Sequence, residues 1–290
     1  MLLGVDVAIR TRALLGEGPR WDAAAGTLLW VDIEAGALHV FDPVSGVDRA
    51  IQLGARVGAA VPVLGGGVLV ALADRLAILG LEDGTMRTLV EVPHGEGLRL
   101  NDGACDPAGR FWVGSMALDH APGKGALYRY SGEGGLDPVL EDVTISNGLG
   151  WSPDGGTMYY VDSLTYRVDR LDFDPATGAI SDRRPFAVIE RGAGIPDGLA
   201  VDDEGGVWVA LWGRAALRRY GPDGELDRVL AVPADNVTAC CFGGRDGRTL
   251  YVTSASVDLS DEQLRRRPLA GAVFAAEAGV SGPPAQPFAG

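Results

Sequence analysis

The 290-residue chain is poor in lysine, cysteine and histidine, and each shortage removes a kind of chemistry. Lys124 is its one lysine, so no other position can supply a nucleophilic or Schiff-base amine. Cys105, Cys240 and Cys241 make an odd count with two neighbours. That pattern suits a reducing compartment better than a disulfide scaffold, so a cytoplasmic location is expected. His39, His94 and His120 form no HExxH spacing, and neither GxSxG nor GxxxxGK[ST] occurs. The zincin, serine-elbow and P-loop readings therefore lack their motifs. No apolar run reaches 18 residues, and the opening MLLGVDVAIR lacks the basic flank and long apolar stretch of a signal peptide. No membrane partner is expected. Basic charge is scarce as well: 25 Lys and Arg stand against 39 Asp and Glu, a net charge of −14. Nucleic-acid binding needs the opposite balance, so no nucleic-acid partner is expected either.

What the chain does have is apolar residues at 47% and 43 glycines, about twice the usual ~7% share. This composition punctuates many short strands better than it suits long helices. One unit recurs six times: a Gly turn followed by an apolar strand. Its copies are GTLLWVDI from Gly26, GGVLVALA from Gly66, GRFWVGSM from Gly109, GTMYYVDS from Gly156, GGVWVALW from Gly205 and GRTLYVTS from Gly247. Their large central residues are Trp30, Leu69, Trp112, Tyr160, Trp208 and Tyr251, spaced by roughly 40–50 residues. A further strand follows in most units, as in GALHVFDPVSG and GALYRYSGEGG. About four strands per unit at this period predicts an all-β, six-bladed β-propeller rather than a β-sandwich. No linker or low-complexity stretch interrupts the repeats, so residues 1–290 read as one domain. The segment from Val5 to Leu15 is expected to close the ring by pairing within the last blade. One short helix is expected from Ser260 to Arg267, opened by a Ser260/Gln263 capping box and ended by Pro268.

An earlier strand precedes each Gly turn and should line the central channel. Aligned on one another, these strands begin with Glu17, Asn101, Asn147, Asp197 and Asn236; only the second unit has an apolar residue there, Ala60. A ring of such groups around an axis is costly to bury without partners. Two carboxylates and several amide oxygens converging on one point are ligands for a hard or borderline cation, so a central-channel metal site is expected. Any single Asn-Gly or Asp-Gly could be only a tight turn. The register shared by five units argues for the ring, and Glu17, a poor turn residue, argues for it most clearly. The glycines beside these positions, Gly16, Gly18, Gly148 and Gly198, are expected to leave room in the channel for a metal and a small ring. Cys240 and Cys241 should occupy opposite faces of a strand as small core residues.

Five motifs in order, LLGEGPRWD, RLNDGACDPAGRFWVGSM, ISNGLGWSPDG, IPDGLAVDDEGGVWVA and CCFGGRDGRTLYVTSA, resemble the regucalcin (senescence marker protein)/gluconolactonase family of sugar lactonases. The resemblance runs from about Leu15 to about Phe274. It implies one divalent metal (Ca, Zn, Mn, Mg or Fe(II)) held by Glu17, Asn147 and Asp197, and a sugar lactone such as gluconolactone, xylonolactone or arabinonolactone as substrate. It also implies substrate contacts from Arg99, Asn101 and Asp119, the last standing where regucalcin-like members carry a glutamate. Asp102 matches an aspartate near the metal in relatives.

The resulting expectation is a metal-dependent hydrolase that opens an aldonolactone to the aldonic acid. Asp197 is the first choice to deprotonate the attacking water and Asp102 the second, with Arg99 and Asn101 orienting the substrate. A paraoxonase-like or phosphotriesterase-like propeller is disfavoured because no aligned channel position is His. A non-catalytic calcium-binding propeller is disfavoured by the substrate-facing pair. A monomer or weak homo-oligomer is expected.

Overall fold

The computed structural model describes residues 4–92, 95–132 and 135–290; His94 lies outside them. They form six four-stranded antiparallel sheets arranged as a six-bladed β-propeller. The innermost strands are Gly16–Asp22, Val57–Pro62, Leu98–Cys105, Ser146–Trp151, Ile195–Val201 and Asn236–Gly243. Each packs against the next, and the last packs against the first. The sixth sheet carries Val5–Ile9 on its outer edge beside Val273–Glu277, with Val7 opposite Phe274, so the beginning of the chain closes the ring as expected. The short helix is also present, Asp261–Arg266, with the Ser260/Gln263 capping box formed in both directions.

The second strand of each blade is buried on both faces, which is why these strands read as near-continuous apolar runs instead of alternating ones. Trp30, Trp112, Tyr160 and Trp208 are fully buried between blades. Indole N–H groups need partners at that depth, and aspartates supply them. Trp112 Nε1 donates to Asp106 at 3.0 Å, Trp208 Nε1 to Asp202 at 2.9 Å, and Trp30 Nε1 to Asp48 at 3.1 Å. Cys240 and Cys241 are free, buried and in different apolar clusters, consistent with opposite strand faces.

Every innermost strand carries an irregularity in its pairing, between Glu17 and Arg20, Val57 and Ala59, Leu100 and Gly103, Ser146 and Leu149, Pro196 and Leu199, and Val237 and Ala239. Such bulges re-aim side chains, and here they set what enters the channel. Their positions correct two sequence expectations. In the last blade the bulge falls on Thr238, whose hydroxyl donates to Gly16 O at 2.6 Å, while the Asn236 amide bonds to Val257 O at 3.0 Å. In the second blade the position is Gly58, not Ala60.

The glycines also have a different task from the one expected. A Cβ on Gly148 would lie 2.7 Å from Asp197 O, one on Gly198 2.4 Å from Ala239 Cβ, and one on Gly58 2.4 Å from Asn101 O. They let neighbouring innermost strands touch backbone to backbone. The space they leave is filled by the next blade, not by the channel.

Candidate functional site in the channel

One end of the channel opens into a cavity of about 340 Å³ whose polar lining includes Glu17, Arg99, Asn101, Asn147 and Asp197. Four bulged strands, from blades one, three, four and five, deliver these groups. The approach to two of them is braced by the last residue of the adjoining strand. Asp32 accepts from Leu14 N and Leu15 N just before Glu17, and Asp162 accepts from Thr144 N and Ile145 N just before Asn147.

A chain of hydrogen bonds orders the floor. Arg99 Nη1 donates to Asn101 Oδ1 at 2.5 Å. Asn101 Nδ2 donates to Asn147 Oδ1 at 2.8 Å and to Ser146 O, and Asn147 Nδ2 donates to Ser163 Oγ at 2.8 Å. This assigns both amides: each turns its Oδ1 toward a donor and its Nδ2 toward an acceptor.

The two carboxylates are less well satisfied. Glu17 Oε2 accepts from Gly18 N at 3.0 Å, whereas Asp197 Oδ1 is buried without any hydrogen-bond partner. Burial and the nearby Asp102 charge push Glu17 up to about 8. Burial, then the Glu17 and Asp102 charges, raise Asp197 well above the ordinary carboxylate range. Two buried carboxyl groups that disfavour each other's ionisation, one with an unused oxygen, leave a deficit of positive charge.

Among the described residues, no group of three His, Cys, Asp or Glu side chains could hold a metal ion. The oxygen set here is two carboxylates completed by the Asn147 amide. The unpartnered Asp197 oxygen and the raised pair fit a divalent cation by donor chemistry.

Asp102 is buried behind this set and is not among the cavity-lining residues. Its Oδ1 accepts from Arg20 Nη2 at 3.0 Å and from Gly103 N at 2.8 Å, and burial raises it too. Asp119 is exposed. Its Oδ1 accepts from Ala121 N at 3.0 Å, closing a local turn, and the cavity wall there is made by Leu118 and His120. The structure thus brings Glu17, Arg99, Asn101, Asn147 and Asp197 together and leaves Asp102 and Asp119 outside the lining. His120 and Trp212 also line the cavity.

The model of the SMP-30/Gluconolactonase/LRE-like region matches residues 15–256. The chain belongs to this family. Curated relatives include regucalcin of Gallus gallus, 38% identical over 287 residues and 96% of each chain. Another is the Bacillus subtilis (strain 168) protein named "Putative sugar lactone lactonase YvrE", 35% identical over 282 residues and 97% of each chain. Among solved structures, regucalcin of Agrobacterium tumefaciens, titled a calcium-binding protein, superimposes with a TM-score of 0.95. It is 31% identical, covering 99% of this chain and 98% of that one. In this member of the family, Glu34, Arg56 and Ser163 also line the cavity, and sequence reasoning missed all three. Glu34 and Arg56 sit outside the aligned strand segments, where the repeat gives no register, and Ser163 is the last residue of an aligned copy, GTMYYVDS. A signal for Glu34 and Arg56 did exist: both fall in inter-strand segments on the same side as Glu17.

Proposed function

We propose that this protein hydrolyses sugar lactones to their aldonic acids, with a divalent cation held by Glu17, Asn147 and Asp197. The observation that carries the reading is the pair of buried carboxylates beside Arg99 and Asn101 at the floor of one cavity, with Asp197 Oδ1 lacking any partner. The name of the Bacillus relative supports the substrate class.

When bound, the cation would supply Lewis-acid polarisation and neutralise the carboxylate pair. Arg99 holds the lactone by its oxygens, and Asn101, whose Nδ2 hydrogens go to Ser146 O and Asn147 Oδ1, accepts from a substrate hydroxyl at its Oδ1. Arg99 keeps Asn101 fixed through the 2.5 Å bond, so the substrate meets a pre-ordered surface. The Asp197 carboxylate oxygen that does not face the cation takes a proton from the attacking water as the new C–O bond forms at the carbonyl carbon. The ring C–O bond then breaks, and the former ring oxygen receives that proton to become a hydroxyl. Asp102 is occupied by Arg20 and Gly103, which leaves the base role to Asp197 and gives Asp102 that of a buried negative charge beneath it.

The test is proton release by the purified protein from a panel of aldonolactones, first with chelator and then with Ca²⁺, Zn²⁺, Mn²⁺, Mg²⁺ or Fe²⁺ restored. Turnover that needs a metal and disappears in Asp197→Ala supports the reading. No rate above background for any lactone with any metal would leave a non-catalytic binding propeller instead.

A further inference from the structure

The cavity has two unlike walls. Blades four and five and the last blade present mainly apolar groups to its mouth, among them Ile145, Leu164, Ile195, Trp212 and Val257. The facing side, where blades one and two meet, presents Glu34 and Arg56. Blade two gives nothing polar to the floor, because its bulge position is Gly58 and its innermost strand reads VGAAVP. Its polar contribution comes from the rim instead, through Arg56.

Arg56 Nε and Nη2 both donate to Glu34 Oε2, at 2.9 and 2.7 Å. This single-oxygen grip leaves Arg56 Nη1 and Glu34 Oε1 without a hydrogen bond among the described residues. A donor and an acceptor are thus held side by side at the mouth of the cavity. Glu34 also acts on the floor: among the charges around the buried Arg99, it is the strongest of those favouring the guanidinium's charged form, ahead of Glu17 and Asp197. Glu34 therefore bonds one arginine at the rim and favours the charged form of a second, Arg99, beside Asn101.

We propose that Glu34 and Arg56 form a subsite for a vicinal diol on the substrate's exocyclic arm, with Arg56 as a specificity-determining residue and Glu34 as the residue that positions it. One hydroxyl of the arm accepts from Arg56 Nη1 and its neighbour donates to Glu34 Oε1, while the C–H face of the sugar lies toward Trp212. A six-carbon aldono-1,4-lactone carries such an arm; γ-valerolactone has only a methyl group there. The proposal rests on the lactonase reading for its substrate but not for its binding chemistry.

The experiment compares kcat and KM of the metal-loaded protein and its Arg56→Met and Glu34→Gln variants on a hexono-1,4-lactone and on γ-valerolactone. Binding of a non-reacting hexitol is followed in parallel by calorimetry. Both variants should lower the kcat/KM ratio of the hexonolactone to γ-valerolactone by roughly tenfold, mostly through KM, as expected for losing one hydrogen bond to a charged group. Glu34→Asp should recover part of the loss, and hexitol binding should weaken by a similar factor in Arg56→Met. Both side chains are partly exposed, so thermal denaturation should confirm that the variants remain folded. Equal losses on both lactones, or none on either, would overturn the subsite. Hexitol binding that is absent in the wild type, or unchanged in Arg56→Met, would overturn it as well. If no lactone is turned over but hexitol binding still depends on Arg56, the subsite stands and the lactonase reading falls.

Discussion

Buried carboxylates occur in two settings in this propeller, and they are treated in opposite ways. Asp106 and Asp202, at hairpins of blades three and five, are fully buried and saturated with donors. Asp202 accepts from Glu204 N, Gly206 N, Trp208 Nε1 and both Nε and Nη2 of Arg219. Asp106 accepts from Ala108 N, Arg110 N, Arg110 Nε and Trp112 Nε1. A guanidinium neutralises each, Arg110 from the same hairpin for Asp106 and Arg219 from the neighbouring strand for Asp202. Glu17 and Asp197 in the channel are nearly as buried, yet they have few donors; burial and Asp102 raise Glu17, and burial, Glu17 and Asp102 raise Asp197. A fold that can satisfy a carboxylate so fully at its hairpins leaves this pair undersupplied. The difference separates a structural use of buried charge from the site proposed to take a cation and a substrate.

The largest effect should come from breaking the undersupplied side. Asp197→Ala removes the proposed base and a cation ligand together. Lactone turnover should fall by roughly 10²–10⁴-fold or more in a proton-release assay at saturating metal. Near-wild-type turnover would end the assignment. The fold should survive, because Asp197 Oδ1 holds nothing in place.

The saturated side should respond in stability instead. Asp202→Ala strands the buried Arg219 guanidinium and leaves the Trp208 indole N–H and Gly206 N without an acceptor. Removing one partner of a buried ion pair costs about 3–5 kcal/mol, to be read as a lower urea midpoint. Arg219 also pairs with Glu204 and Asp227, so a loss near the lower figure is expected. A change below about 1 kcal/mol would mean that the hairpin aspartates are dispensable and the contrast is false.

A third comparison uses the metal itself. Adding a divalent cation at about 100 times its dissociation constant should stabilise the wild type by about 2.7 kcal/mol and raise its melting temperature. Asp197→Ala should show little of this rise, and Asp202→Ala should show all of it from a lower starting point. Equal shifts in both variants would place the cation elsewhere.

Much of this was legible in the sequence, and the failures share one cause. The six repeats, the closing strand Val5–Ile9 and the capped helix were readable because each depends on local pattern. Asn101, Asn147 and Asp197 were readable because each opens the bulge of its strand at the same place, and Glu17 because it stands directly before the bulge of its own. Asn236 misled because an Asn at a strand start looks the same whether the bulge comes at once or two residues later, at Thr238. Gly148 and Gly198 misled because what approaches them is the backbone of the next blade, about 40–50 residues along the chain. Glu34 and Arg56 were missed because no repeat sets the register of the loops between strands; only their placement on the Glu17 side of the blades pointed to them.

The smallest effect is also the most direct test of the undersupply. With metal removed, Glu17 is raised from 4.5 to about 8 by burial and by the Asp102 charge, and Asp197 is raised with it. In the unfolded chain both ionise in the ordinary carboxylate range. Between those limits the folded state binds more protons than the unfolded state, so stability falls as pH rises. The contribution is fully present below pH 4.5 and lost by the time pH has passed about 8. Glu17→Gln removes one of the two titrating groups and the repulsion it causes. The metal-free variant should therefore melt about 3 °C or more above the metal-free wild type at pH 8, with the gap closing toward pH 5. Saturating metal should reverse the order at pH 8, because the cation needs the ionised Glu17 that the variant lacks. A wild type that melts higher than Glu17→Gln under both conditions would show that Glu17 is satisfied like Asp202, and the two settings would be one.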